Sequence, residues 1–268
     1  MMSRNQKKVR KMSNPNYRGV IPGTFTMGNV VCGFLSILSA FEGHITTACW
    51  FIILAGFLDA LDGKIARLSG GTSQFGVELD SLADFLSFGV APAVIVHTIK
   101  LSSLGKWGWI ISIVYIMAAS YRLARYNIFA ETDEKKDFLG LPVPGAALTL
   151  VSFILFSYKV WGGLEYSEIL VSMVILFAFL MVSQVQYDAF PDKFDSQQAR
   201  IKLGILVVAA IIILFKPRLL LFPFFSLYIL FGMTREIYRL FTVSVGKVAS
   251  KQHDRRATDK RNSDEHSE

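Results

Sequence analysis

Four aspartates stand in two pairs within one short stretch of the chain, residues 58–89. Asp59 and Asp62 form the first pair, and Asp80 and Asp84 form the second. Residues three or four positions apart share one face of a helix, so each pair is expected to face one way. Carboxylates without an accompanying Cys or His are hard oxygen ligands, which suit Mg²⁺, Mn²⁺ or Ca²⁺ and argue against Zn²⁺. The pattern therefore predicts a divalent-cation site that completes its ligand set with substrate phosphate.

A turn rich in Gly and Ser, residues 69–73, separates the two pairs. We expect this turn to return the second helix alongside the first, so that all four carboxylates converge. Small residues share these two helix faces and would let a bulky group approach the backbone; they are Gly63, Ala66 and Gly76. Arg67 lies on the first face and suits phosphate oxygens, which its guanidinium binds in a forked geometry.

Other interpretations of the four acids were weighed against a metal site. Buried salt bridges would need more cations, because Lys64 and Arg67 cannot neutralise four carboxylates. An intramembrane prenyltransferase would want its two Asp-rich motifs on distant helices, whereas these lie on adjacent ones. A cation pathway through the membrane stays open as the alternative that is not an enzyme.

The composition places these acids in a membrane protein. Of the 268 residues, 52% are hydrophobic, and the mean hydropathy is +0.43. Apolar runs of the length that crosses a bilayer, about 17–25 residues, recur along the chain. We predict an all-α, polytopic helix bundle with six spans and two further ones at its C-terminal end, over residues 22–42, 45–68, 76–99, 107–129, 144–160, 167–185, 202–216 and 219–240. The seventh run is short and is interrupted at Lys216, so the last two could form one hairpin.

The distribution of positive charge predicts that both termini lie in the cytoplasm. Every Lys and Arg falls in a segment assigned to that side, other than Lys100, Lys106, Lys159, Lys216 and Arg218. Anionic lipid beside these segments accounts for the net charge of +7 without nucleic acid. The predicted organisation is a basic cytoplasmic segment at 1–20, a transmembrane domain at 21–240 and a disordered basic cytoplasmic tail at 241–268. The protein is thus expected in the cell membrane, with its acids on the cytoplasmic side.

The spacing of the acids resembles a known signature. The chain is similar to the signature of the CDP-alcohol phosphotransferases at every specified position. The matching stretch is Asp59-x-x-Asp62-Gly63-x-x-Ala66-Arg67, then a spacer of eight residues, then Gly76-x-x-x-Asp80-x-x-x-Asp84. An upstream segment resembles the family's first helix: Ile21-Pro22-x-Thr24-x-Thr26-x-x-Asn29-x-x-x-Gly33. Three later segments resemble the phosphatidylserine synthase branch: residues 88–93, 122–127 and 140–144.

This resemblance implies transfer of a phosphatidyl group from CDP-diacylglycerol to L-serine, giving phosphatidylserine and CMP. It implies a two-metal site for Mg²⁺ or Mn²⁺, with Asp59, Asp62 and Asp80 as ligands. Asp84 would contact the second metal and act as general base. The resemblance further implies a homodimer and a cytidine and diphosphate pocket that includes Gly63, Ala66, Arg67 and Gly76, to which we add Asn29 as a polar contact.

The acceptor is the least constrained part of this prediction. Serine carries a carboxylate, so its pocket should contain a cation near the metals, and Arg122 and Arg125 are the candidates. A phosphorylated acceptor such as glycerol phosphate or inositol phosphate would call for a denser basic cluster. The expected partners are therefore CDP-diacylglycerol, L-serine and membrane lipids, with another acceptor of the same family, or cation transport, as the alternatives.

Overall fold

The computed structural model describes residues 20–68, 74–131, 140–183, 215–232 and 234, with the backbone alone at 20–22, 66–68 and 129–131. No strand occurs among these residues, so the predicted all-α class is confirmed. The helices are α1 (Val20–Phe41), α2 (Ile45–Leu68), α3 (Gln74–Ile99), α4 (Lys106–Glu131), α5 (Val143–Trp161), α6 (Ser167–Val182) and α7 (Pro217–Gly232).

Five of these helices, α1 to α5, are long and apolar enough to cross a membrane. They match the first five predicted spans and make the chain a multi-pass membrane protein. The other two, α6 and α7, are apolar but shorter. The predicted span 202–216 lies outside the described residues except for Phe215 and Lys216. The total number of spans and the cytoplasmic position of both termini stay predictions.

The bundle is built from a tight hairpin and a central helix. Gly43 turns the chain between α1 and α2 with a φ of 80°, which a residue with a side chain rarely adopts. Fully buried alanines, among them Ala40 and Ala48, let these two helices pack closely. In α5, 61% of the apolar span is buried, compared with 33% in α1, α2 and α4. Helix α5 therefore forms the centre of the bundle, while large apolar side chains elsewhere, such as Phe34 and Phe179, face outward.

Helix α3 contains a segment that the sequence analysis did not predict. Its first part, Gln74–Asp84, is regular α-helix, and Phe85–Val90 follows as one stretch of π-helix. Such widened turns loosen the backbone hydrogen-bond pattern and are frequent at functional sites. The Tyr115 hydroxyl donates to the Phe88 carbonyl at 3.3 Å, which gives this stretch a partner from α4. Since the π-helix begins after Asp84, both acids of α3 keep their common face.

Helix α1 approaches the π-helical stretch at Gly33. A Cβ atom built at Gly33 would lie 3.0 Å from the Ser87 Cα and would collide with the Ser87 hydroxyl. Ser87 is fully buried and donates to the Asn29 carbonyl at 2.9 Å, so it has no room to move away. The absence of a side chain at Gly33 therefore sets the distance between α1 and α3.

We expect Gly33→Ala to destabilise the protein by about 1–3 kcal/mol, the usual penalty for overpacking. The measurement is the apparent midpoint of thermal unfolding in detergent. Gly23→Ala is the matched control on the same helix, because a Cβ there meets nothing within 4 Å. Equal midpoints for the two variants would contradict the close approach described here.

Candidate active site

Three of the four predicted acids converge at one point between α2 and α3. Carboxylate oxygens of Asp59, Asp80 and Asp84 all lie within 4.8 Å of one another. The predicted acidic faces of the two helices account for this convergence. Asp59 projects from α2, while Asp80 and Asp84 project from successive turns of α3. Like charges at this distance repel one another strongly away from bulk water. A bound cation would remove that repulsion.

Asp84 is held in place by α1. The Asn29 side-chain amide donates to Asp84 Oδ1 at 3.2 Å, and Asn29 is fully buried. The backbone carbonyl of Asn29 accepts a hydrogen bond from the Ser87 hydroxyl, so the residue that holds Asp84 is itself fixed to the π-helical stretch. The amide oxygen of Asn29 is buried without a hydrogen-bond partner among the described residues. An acceptor in that position suits a donor group of a bound molecule.

The Asp62 side chain is more buried than those of the other three acids. It is not a member of the group of three, although its charge acts on Asp59 and Asp80. Its side chain is 6% exposed and accepts a hydrogen bond from the Thr26 hydroxyl through Oδ2. Oδ1 is buried without a hydrogen-bond partner within the described part of the chain. Removing a carboxylate from water without satisfying both oxygens is unfavourable, so this atom is suited to accept a ligand such as a cation.

Thr26 is a contact that the sequence analysis missed. It formed part of the resemblance in the first helix, but no role was assigned to it. The structure buries Thr26, at 3% exposed, against the Asp62 carboxylate. The available signal was the polar pair Thr26 and Asn29, three residues apart in an apolar helix, because this spacing places both side chains on the same face of that helix.

Among the small residues of the predicted nucleotide pocket, Gly63 has the space expected of it. A Cβ atom at Gly63 would meet nothing within 4 Å, and Gly63 is exposed. Gly76 lies one turn before Asp80 in α3 and is half-buried. The side chains of Ala66 and Arg67 lie outside the described residues. The roles of all four residues stay predictions.

Arg122 extends from α4 toward the acids. It is 6% exposed, and its charge interacts with that of Asp84. The guanidinium carbon lies 5.1 Å from the centre of the Tyr126 ring, within the range of a cation–π contact. Arg122 Nε is buried without a hydrogen-bond partner among the described residues. A buried guanidinium with an unused donor is suited to a carboxylate.

Arg125 has different surroundings from Arg122. Its guanidinium donates to the backbone carbonyls at the end of α6, at 3.0 Å to Val182 and 3.1 Å to Met181 and Ser183. The last carbonyls of an α-helix lack hydrogen-bond donors from the helix itself, so Arg125 caps the end of α6. The geometry gives Arg125 a structural role, and its contact with serine stays a prediction.

The set of residues fits a divalent metal. The donor atoms are all carboxylate oxygens, three of them converge, and Asp62 adds a buried oxygen that has no hydrogen-bond partner in the described part of the chain. Hard cations such as Mg²⁺ take few protein carboxylates and fill the remaining positions with water or phosphate oxygens. The exposed backbone at Gly63 leaves space beside the acids for such a group. The arrangement can bind a metal-associated phosphate and place a carboxylate, Asp84, near it.

Comparisons with known proteins show which family this chain resembles. The model of the CDP-alcohol phosphatidyltransferase family matches residues 19–183. The CDP-diacylglycerol–serine O-phosphatidyltransferase of Helicobacter pylori is 34% identical over 238 residues, which cover 87% of this chain and 97% of that protein. The enzyme of the same name from Bacillus subtilis is 34% identical over 63% of this chain and 90% of its own length. The archaetidylserine synthase of Methanothermobacter thermautotrophicus is 34% identical over 62% of this chain and 69% of its own length.

Proposed function

The chain belongs to the CDP-alcohol phosphatidyltransferase family, and on this basis we propose that it transfers the phosphatidyl group of CDP-diacylglycerol to L-serine, giving phosphatidylserine and CMP. The observation that carries the proposal is the convergence of Asp59, Asp80 and Asp84 within 4.8 Å. The names of the similar proteins support serine as the acceptor, because the bacterial and the archaeal relatives both carry it in their names.

The metal would be held by Asp59, Asp80 and Asp84, with Asp62 as a further ligand. When bound, a divalent cation offsets the negative charge of the diphosphate and of the departing CMP. We propose Mg²⁺ or Mn²⁺, in a two-metal arrangement, because both prefer oxygen ligands. The partnerless oxygen of Asp62 supports its inclusion in the ligand set.

Asp84 is the proposed general base. It accepts the proton of the serine hydroxyl as the serine oxygen attacks the phosphorus that carries the diacylglycerol. The bond between this phosphorus and the oxygen bridging to CMP breaks, and CMP leaves with the electron pair. The hydrogen bond from Asn29 supports this role, because it leaves the second carboxylate oxygen of Asp84 to receive the proton.

The substrates occupy opposite sides of the acids in this proposal. The cytidine and diphosphate lie against Gly63, Ala66, Arg67 and Gly76, with Asn29 as a polar contact. Serine binds through its carboxylate to Arg122, and the buried Nε, which has no hydrogen-bond partner among the described residues, supports the assignment. Arg125 remains a second candidate for that contact. The acyl chains stay in the lipid phase, and serine enters from the cytoplasm, where we place the site on the basis of the charge distribution.

Release of CMP by the purified protein tests the proposal. The assay contains detergent, CDP-diacylglycerol and Mg²⁺ or Mn²⁺, and it is run with and without L-serine. We expect release that needs both the metal and serine. Release only with glycerol phosphate or an inositol phosphate would transfer the function to another acceptor, and no metal-dependent release with any acceptor would favour cation transport.

A further inference from the structure

A pair of polar side chains joins the acid-bearing helix α3 to α4. The Ser81 hydroxyl donates to the side-chain carbonyl of Asn127 at 3.2 Å, and the amide nitrogen of Asn127 donates back to the Ser81 oxygen at 2.9 Å. Ser81 adjoins Asp80 in α3, and Asn127 lies in the same part of α4 as Arg122. The pair therefore links the two helices close to the acids.

A second hydrogen bond joins the same two helices further from the acids. The fully buried Tyr115 of α4 donates its hydroxyl to the Phe88 carbonyl of α3 at 3.3 Å. The later of the two contact residues in α3 pairs with the earlier one in α4, so the helices run antiparallel. Two contacts fix the spacing of the helices at two levels, and the residues between these levels are held facing the neighbouring helix.

Asp84 and Arg122 both lie between these two contacts. Asp84 follows Ser81 by three residues and Arg122 precedes Asn127 by five, which corresponds to about 4.5 Å and about 7.5 Å along the respective helix axes. The general base proposed for serine and the guanidinium proposed for its carboxylate thus lie at similar levels on neighbouring helices. The interaction between the charges of Asp84 and Arg122 agrees with this placement.

We propose that Ser81 and Asn127 are a positioning pair, which sets the distance between Asp84 and Arg122 and thereby aligns L-serine for attack. This inference rests on the proposed function. Serine is held at its carboxylate by Arg122 while its hydroxyl reaches Asp84, so its alignment depends on the spacing of α3 and α4. A displacement of about 1 Å can lower a rate about 10²-fold. The pair acts without contacting serine, because the hydroxyl and the amide are engaged with each other.

The test measures kcat and KM for L-serine and for CDP-diacylglycerol in Ser81→Ala, in Asn127→Ala and in the double variant. We expect each single substitution to lower kcat/KM for L-serine about tenfold, while the KM for CDP-diacylglycerol stays within about twofold. The double variant should be no worse than the more impaired single one, because either substitution breaks the same contact.

Two further variants serve as controls for these measurements. Ser81→Thr keeps a hydroxyl at this position and should retain kcat/KM for L-serine within about twofold. Leu82→Ala truncates the next residue of α3, which is 66% exposed, and should leave both substrates unaffected. Thermal unfolding of every variant in detergent reports whether a kinetic change merely follows a loss of stability.

The double variant distinguishes a positioning pair from a direct contact with the substrate. Unchanged kinetics in both single variants would overturn the proposal, and so would a loss in Asn127→Ala alone or losses that multiply in the double variant. An equal rise in both KM values with a lower unfolding midpoint would show a merely structural contact and would overturn it as well. Each of these results leaves the proposed function intact. Lack of serine-dependent CMP release by the unmodified enzyme would instead overturn the proposed function, and this inference with it.

Discussion

Asp84→Asn is expected to lower the rate of CMP release by roughly 10²- to 10⁴-fold, the usual contribution of a general base. The substituted amide is as large as the carboxylate, and its oxygen can still accept the hydrogen bond from Asn29. What it loses is the ability to take the proton of the serine hydroxyl. Donor binding should therefore stay largely intact, because Asp59 and Asp80, two of the proposed metal ligands, remain in place.

Steady-state CMP release and binding of CDP-diacylglycerol in the absence of serine are the two measurements. Glu78→Gln is the matched control, because it removes a carboxylate from the same helix at an exposed position outside the acid cluster. The control should retain full activity. Substantial turnover by Asp84→Asn would remove Asp84 from the role of base.

Asp59→Asn is expected to weaken the binding of metal and of CDP-diacylglycerol together. Asp59 is the member of the converging group that comes from α2, so its loss leaves both remaining acids on α3. Asp62, the other proposed ligand on α2, lies outside the converging group, so the converging carboxylates would no longer come from both helices. We expect half-maximal activity to require at least about tenfold more Mn²⁺, in the range seen when metal-site residues are changed.

The measurement is a Mn²⁺ titration of CMP release, together with donor binding at each metal concentration. High Mn²⁺ should restore part of the activity of Asp59→Asn and none of the activity of Asp84→Asn. An equal loss of donor binding in the two variants would contradict the separate roles that we give to these aspartates.

The sequence was sufficient to predict the helices and the position of the acids along them. Apolar length and helical periodicity are local properties, so α1 to α5 and the two acidic faces follow from the order of residues alone. The convergence of Asp59, Asp80 and Asp84 also followed, because only five residues, 69–73, separate the two helices that carry them. The family could be identified from the same spacing.

Contacts between distant segments were decided only by the tertiary structure. The hydrogen bond from Thr26 to Asp62 and the capping of α6 by Arg125 join residues far apart in the chain. The π-helical stretch after Asp84 likewise occurs where Ser87 must fit against Gly33 of another helix. Periodicity predicts which face of a helix a residue occupies. The partner that meets this face depends on how the helices pack, and packing is determined by all of their side chains together.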